Sequence, residues 1–342
     1  KMGYGGLERV ISEFSQGLSE LGHDVSVVAS RDSEVLTGAK LIDTVKPWDK
    51  LVPAEQQSYA KADRVWNGWR AHEEASFQRY KDLIDGFDVI GDHSWSKWAF
   101  TTQKAQIIGT CHSIKPYNIR PPRAHPLLTG VSVGHSRFLS RELHVPVRVI
   151  HNPVNVEELP FQKDKSEKIL SLNRIMPQKG IHLFLDAIEK EKLKADVAGD
   201  DSTLVQDQNY VNFIKDRCKK SAFANYYGLV DDQTRINLLK NAKALVCLKD
   251  GGYEEVFGLQ AVEALSCGTP VIALKSWGFN DTIEHGKNGY LCDNMEQVGK
   301  ALHEIDGIKP EYCRESVMKF SRGVRSKAYS DLMESVKRGN RW

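Results

Sequence analysis

What the sequence lacks narrows its reading first. No apolar run approaches the roughly 20 residues needed to span a bilayer, and no secretory signal is visible at the amino end. Six cysteines are scattered through 342 residues without a C-x-x-C pair. Neither a zinc site nor a disulfide framework is therefore expected, and a reducing, cytoplasmic setting fits. The formal charge is only +2, from 47 basic and 45 acidic residues, too small a field to imply nucleic acid. With 41% hydrophobic and 27% charged residues, the composition is that of a soluble globular protein. The length suits two α/β domains.

The most informative stretch is GYEEVFGLQAVEALSCGTPVIAL, residues 252–274. AVEAL carries helical spacing, Cys267-Gly268-Thr269-Pro270 stops that helix, and Val271–Leu274 reads as a short buried strand. Glu255 lies before the helix and Glu263 eight positions later. Unpaired amides at a helix start favour an anion. Carboxylates beside them suit hydroxyl groups, and the combination fits a nucleotide sugar. An isolated pair of glutamates is more simply a solvated helix face. The continuous pattern around this pair reverses that preference.

That pattern, Glu255, Phe257-Gly258-Leu259, Glu263 and Cys267-Gly268-Thr269-Pro270-Val271, resembles the signature of the retaining glycosyltransferases of family 4. The resemblance implies the GT-B fold, with two Rossmann-like parallel-sheet α/β domains facing a central cleft. It also assigns roles. Arg174 and Lys179, five positions apart before a glycine-started helix, would bind the donor diphosphate, whose charge grows as the glycosidic bond breaks. Glu255 would hold hydroxyls of the donor sugar and Glu263 those of the ribose. His112, after the strand-like Ile107–Cys111, would orient the donor sugar. Amides near Phe257, Gly258 and Leu259 would hold phosphate, and Gly228-Leu229-Val230 would meet the base through backbone. Gly5 and Gly6, followed by Glu8, match a glycine loop near the donor phosphates.

Other readings follow the chain. The glycine loop opens a helix without the strand that normally precedes it, so the first strand of the amino-terminal domain is expected to be missing from this numbering. Residues 31–85 match the family least; Trp48, Trp66, Trp69, Phe77 and Tyr80 there are packing residues, with one or two able to line an acceptor site. His93, after the strand Phe87–Ile90, is a lesser cleft candidate. Lys115, Arg120, Arg123, Arg137, Arg141 and Arg148 form a basic stretch facing only Glu142, read as a solvated face ahead of a site for an anionic acceptor. Val131–Ser136 reads as a strand followed by a Ser-initiated helix. Ser276–Asp281 stands where the family has a Gly-Gly-x-Pro-Glu loop, with Trp277 for a glycine and Asp281 for a glutamate, which leaves the cleft wall undefined.

The domain expectation is 1–162 on the acceptor side, 163–325 binding nucleotide sugar, and 326–342 a terminal helix crossing back, with a charged linker near Lys163–Lys168. The implied activity is transfer of a hexose-type sugar from a nucleotide-diphosphate sugar to a sugar, lipid or small-molecule acceptor, without a covalent enzyme intermediate. No cofactor and no metal are expected, nor a nucleic-acid partner or a transmembrane segment; peripheral membrane contact stays open. A nucleotide-sugar epimerase of the same fold and a degenerate sugar-nucleotide-binding subunit are the competing readings.

Overall fold

The structure is a computed structural model that describes residues 6–34, 38–62, 68–114, 126–202 and 207–342. Gly5, Lys115, Arg120, Arg123 and Trp66 lie outside the described residues. The chain forms two compact α/β units, one from Leu7–Pro153 with Arg322–Trp342, the other from Val154–Ser321. Among the described residues, no helix is long and apolar enough to cross a membrane.

The strands of the first unit are β1 (Val25–Ala29), β2 (Ala39–Asp43), β3 (Ile90–Asp92), β4 (Ile107–Cys111), β5 (Leu127–Gly130) and β6 (Val147–Val149). They form two parallel sheets, β1-β2 and β3-β4-β5-β6, which share no hydrogen-bonded strand pair among the described residues. β4 and β5 are buried at every position, as a strand covered on both faces must be. The strand expected within Val131–Ser136 lies earlier, at Leu127–Gly130. Ser132 caps the helix Val133–Leu143 instead, its Oγ accepting the His135 N–H at 3.3 Å, and a capping serine ends extended backbone there. The region of weakest resemblance contributes β2 and the helices Pro53–Ala62 and Trp69–Tyr80.

The terminal helix, Arg322–Lys337, belongs to this first unit. A Cβ on Gly17 would fall 2.1 Å from Ser326 Oγ, so the helix Gly6–Glu20 meets it where there is no side chain. Arg322 Nε donates to Glu13 at 2.6 Å beside that contact.

The second unit holds β7 (Ile169–Leu172), β8 (Ala195–Ala198), β9 (Ala224–Gly228), β10 (Ala244–Cys247), β11 (Val271–Leu274) and β12 (Gly289–Cys292). They form one parallel sheet in the order β12-β11-β10-β7-β8-β9. The four central strands are fully buried. This is the Rossmann order, and its direction of winding reverses between β7 and β10; ligands of such sheets bind beyond the carboxyl ends at that point. The charged stretch expected as a linker lies within this unit, where Lys165 Nζ donates to Lys240 O, Cys267 O and Thr269 Oγ1 at 2.8, 2.9 and 2.9 Å. All six cysteines are buried, Cys111 in the first unit and the other five in the second.

Candidate functional site

The site of the second unit is assembled from the segments leaving β7 and β10, the two strands that flank the reversal. After β7 the chain passes Asn173 and Arg174 into a turn at Pro177–Lys179, and Gly180 (φ +60°) starts the helix Ile181–Glu191. After β10, Gly251 and Gly252 both have positive φ (+64° and +73°), conformations glycine adopts at little cost. They turn Tyr253, Glu254 and Glu255 back. The two segments touch: Asp250 N–H donates to Gln178 O at 3.1 Å, and a Cβ on Gly180 would meet Leu248 Cβ at 3.0 Å.

At that junction Lys179 Nζ lies 2.5 Å from Glu255 Oε2 and 3.1 Å from the Tyr253 hydroxyl. Lys179 is only 8% exposed. Burial alone would lower its pKa, but the Glu255 carboxylate and the Tyr253 hydroxyl override that and hold the ammonium above the usual lysine range. The Arg174 side chain is exposed and makes no hydrogen bond or ion pair with the described residues. One cation is thus fixed in place and the other is available to a ligand.

The adjacent acids have different roles. Glu254 pairs with Lys249 at 2.6 Å and accepts from Ser276 Oγ at 2.6 Å and from Trp277 N–H at 3.2 Å. It therefore braces the start of the helix Trp277–Thr282. That helix occupies the segment expected as a loop. Gly278 explains how it fits: a Cβ there would lie 2.3 Å from Phe257 Cα, and its N–H donates to Glu255 O at 2.8 Å. Gly258 is equally constrained, with φ +83° and the Phe279 ring 2.5 Å from where a Cβ would sit. It opens the helix Leu259–Ser266 with no side-chain cap, which leaves the first amides of that helix without a side-chain acceptor. Phe257 is buried beneath this turn.

Glu263 sits within that helix, 7% exposed, and accepts from Arg235 at 2.7 Å. The carboxylate that the resemblance assigns to ribose is therefore engaged by a buried arginine. Gly228 ends β9 at φ +65°, and its carbonyl accepts from Gly199 N–H at 2.8 Å. Leu229 is 53% exposed and Val230 half-buried. Tyr253, Glu254 and Ser276 were not singled out by sequence reasoning. The two residues preceding Glu255 in the signature were the available signal.

Gly6 opens the helix Gly6–Glu20, and the remaining candidates lie in the first unit. His93 follows β3 and His112 follows β4, and His93 Nδ1 is 2.9 Å from His112 Nε2. Ser94, Trp95, Lys97 and Ser113 line a small pocket with them. Burial lowers the pKa of both imidazoles, that of His93 to about 3. Each unit thus gathers its chemistry beyond strand ends, as the sheet topology predicts.

Comparison with known proteins agrees with this architecture. Residues 156–315 match the family model described as Glycosyl transferases group 1, and residues 4–158 that described as Glycosyltransferase Family 4. Trehalose phosphorylase of Grifola frondosa is 35% identical over 91 residues, which cover 27% of this chain and only 12% of that protein. Glycogen synthase of Mycobacterium tuberculosis is 24% identical over a region covering 87% of this chain and 81% of that one. Among solved structures, Anabaena HepE in complex with UDP and glucose superimposes with a TM-score of 0.72 at 14% identity, covering 97% of this chain and 96% of its own. The chain is a GT-B protein of the glycosyltransferase family 4 type.

Proposed function

We propose that the protein is a retaining glycosyltransferase that takes a hexose-type sugar from a nucleotide-diphosphate sugar and passes it to an acceptor hydroxyl. The observation that carries this reading is the arrangement at the β7/β10 reversal. Exposed Arg174, the Lys179–Glu255 pair and the uncapped amides at Leu259 all lie on the segments that leave the two strands flanking that reversal. Arg174 and the amides suit a diphosphate whose charge grows in the transition state. Lys179 adds fixed positive charge and positions the Glu255 side chain through a short charge-assisted hydrogen bond.

Glu255 then hydrogen-bonds donor-sugar hydroxyls, and His112 orients the same sugar. Glu263 reaches the ribose hydroxyls with one oxygen already held by Arg235. With Glu255 engaged by Lys179 and assigned to the sugar hydroxyls, no residue is assigned as nucleophile, and the departing phosphate takes the acceptor proton in a same-face displacement. No metal is assigned a part. HepE, a neighbour in fold, is seen with UDP and glucose, which makes UDP-sugars the first donors to test.

The test is a thermal-shift and donor-hydrolysis panel over UDP-, GDP- and ADP-sugars. Stabilisation by one nucleotide series with slow release of its nucleoside diphosphate is expected. No response to any of the three overturns the reading. Sugar rearrangement without an acceptor would identify an epimerase instead.

A further inference from the structure

The first unit carries a second histidine that this reading leaves unused. β3 and β4 are parallel neighbours, with Asp92 opposite Gly109. This brings His93 and His112 together with ring centroids 5.2 Å apart and planes within 28°. Behind the pair, His93 Nε2 lies 3.2 Å from the hydroxyl of Tyr329 on the terminal helix. Tyr329 is 1% exposed. A Cβ on Gly91 would fall 2.6 Å from its oxygen, so β3 carries a glycine where the phenol has to reach. On the neighbouring strands, Thr129 Oγ1 donates to Thr110 Oγ1 at 3.0 Å.

Proton accounting along this row has one favoured solution. Burial keeps both imidazoles neutral, so each ring carries one proton and offers one lone pair. A phenol is a stronger donor than an imidazole N–H, and an imidazole nitrogen a stronger acceptor than a phenol oxygen. The phenol proton therefore goes to His93 Nε2, 3.2 Å away. His93 must then be protonated at Nδ1, and that N–H donates to His112 Nε2. The proton of His112 is left on Nδ1. That nitrogen makes no hydrogen bond with the described residues. Which nitrogen of a histidine is protonated is set by the bond the other one makes.

We infer that His93 and Tyr329 are positioning residues that lock His112 in its Nδ1–H tautomer, making it a fixed hydrogen-bond donor rather than a general base. The inference rests on the transferase reading only for what His112 donates to, a hydroxyl of the donor sugar. The row itself stands on the first unit alone.

The test is a long-range proton–nitrogen correlation spectrum of the full chain with nitrogen-15 histidine at neutral pH. His112→Gln and His93→Gln assign the two residues by the signals they remove. Both rings are expected as Nδ1–H. Tyr329→Phe deletes one hydroxyl and keeps the ring; without the phenol proton both rings should move together toward Nε2–H. His112 protonated at Nε2 in the unaltered protein overturns the inference, as does a Tyr329→Phe spectrum with both tautomers unchanged. If Tyr329→Phe does not fold, the spectrum of the unaltered protein decides alone. A nucleotide-sugar panel without response would remove the transferase reading and leave the tautomer result intact.

Discussion

The two units solve one problem with opposite electrostatics. The second puts a formal ion pair, Lys179–Glu255, beyond its strand ends, while the first puts two neutral imidazoles there. A buried ion pair holds its shape only while both members are present; removing one strands the other's charge. A neutral row holds its shape through tautomers and loses it when a proton is added.

Breaking the ion pair should have the largest effect. Glu255→Ala leaves the Lys179 ammonium buried and unpaired, which should destabilise the second unit by roughly 3–5 kcal/mol. Chemical denaturation reads this directly, and a variant as stable as the parent would mean the pair is not a structural unit. Next comes Arg174→Ala. The side chain is exposed, so stability should hold, while affinity for the nucleoside diphosphate falls by about one to two decades, roughly 1.5–3 kcal/mol. Calorimetric titration checks it, and equal affinity would take Arg174 out of the site.

On the other side of the comparison, Gly91→Ala drives a methyl into the space of the Tyr329 hydroxyl. Overpacking of that kind costs roughly 1–3 kcal/mol, read as a lower melting temperature. An unshifted melt would show that the terminal helix yields to the methyl.

The last prediction is acid sensitivity. Burial, with the Lys97 charge added, takes His93 from 6.5 to about 3, and burial takes His135 from 6.5 to about 4. Between these values the unfolded chain binds more protons than the folded one, so stability rises with pH there. The contribution is complete above about 6.5 and is lost as pH falls toward 4. Six of the seven tryptophans, all but Trp277, belong to the first unit, so their fluorescence during acid titration follows that unit. A signal flat from pH 7 to about 4 would contradict the neutral row.

Much of this was legible in the sequence, and the residues say why. Val271–Leu274 is apolar throughout because both faces of the strand are covered, and it forms β11. Gly258 and Gly180 mark helix starts with positive φ that other residues rarely take. What was not legible depended on partners distant in sequence. Glu263 meets Arg235 28 positions away, and nothing in either segment announces the other. Glu254 and Glu255 are neighbours of the same type, separated in role only by Lys249 and Lys179. Ser276–Asp281 reads as a loop by resemblance, yet Glu254 accepts the Trp277 N–H and a short helix forms over Trp277–Thr282. His93 gains its partner Tyr329 from 236 positions away.

The distribution of buried thiols has a practical corollary. Cys111 lies in β4 of the first unit; Cys218, Cys247, Cys267, Cys292 and Cys313 all lie in the second. Burial pushes each thiol up, Cys111 to about 11 and Cys247 to about 12, so both shielding and protonation silence them in the folded chain. A thiol reagent added to the native protein therefore works as a clock with two hands. One label per molecule times the opening of the first unit, and five that of the second. The masses that accumulate should tell whether the units open together or one at a time, without a single substitution.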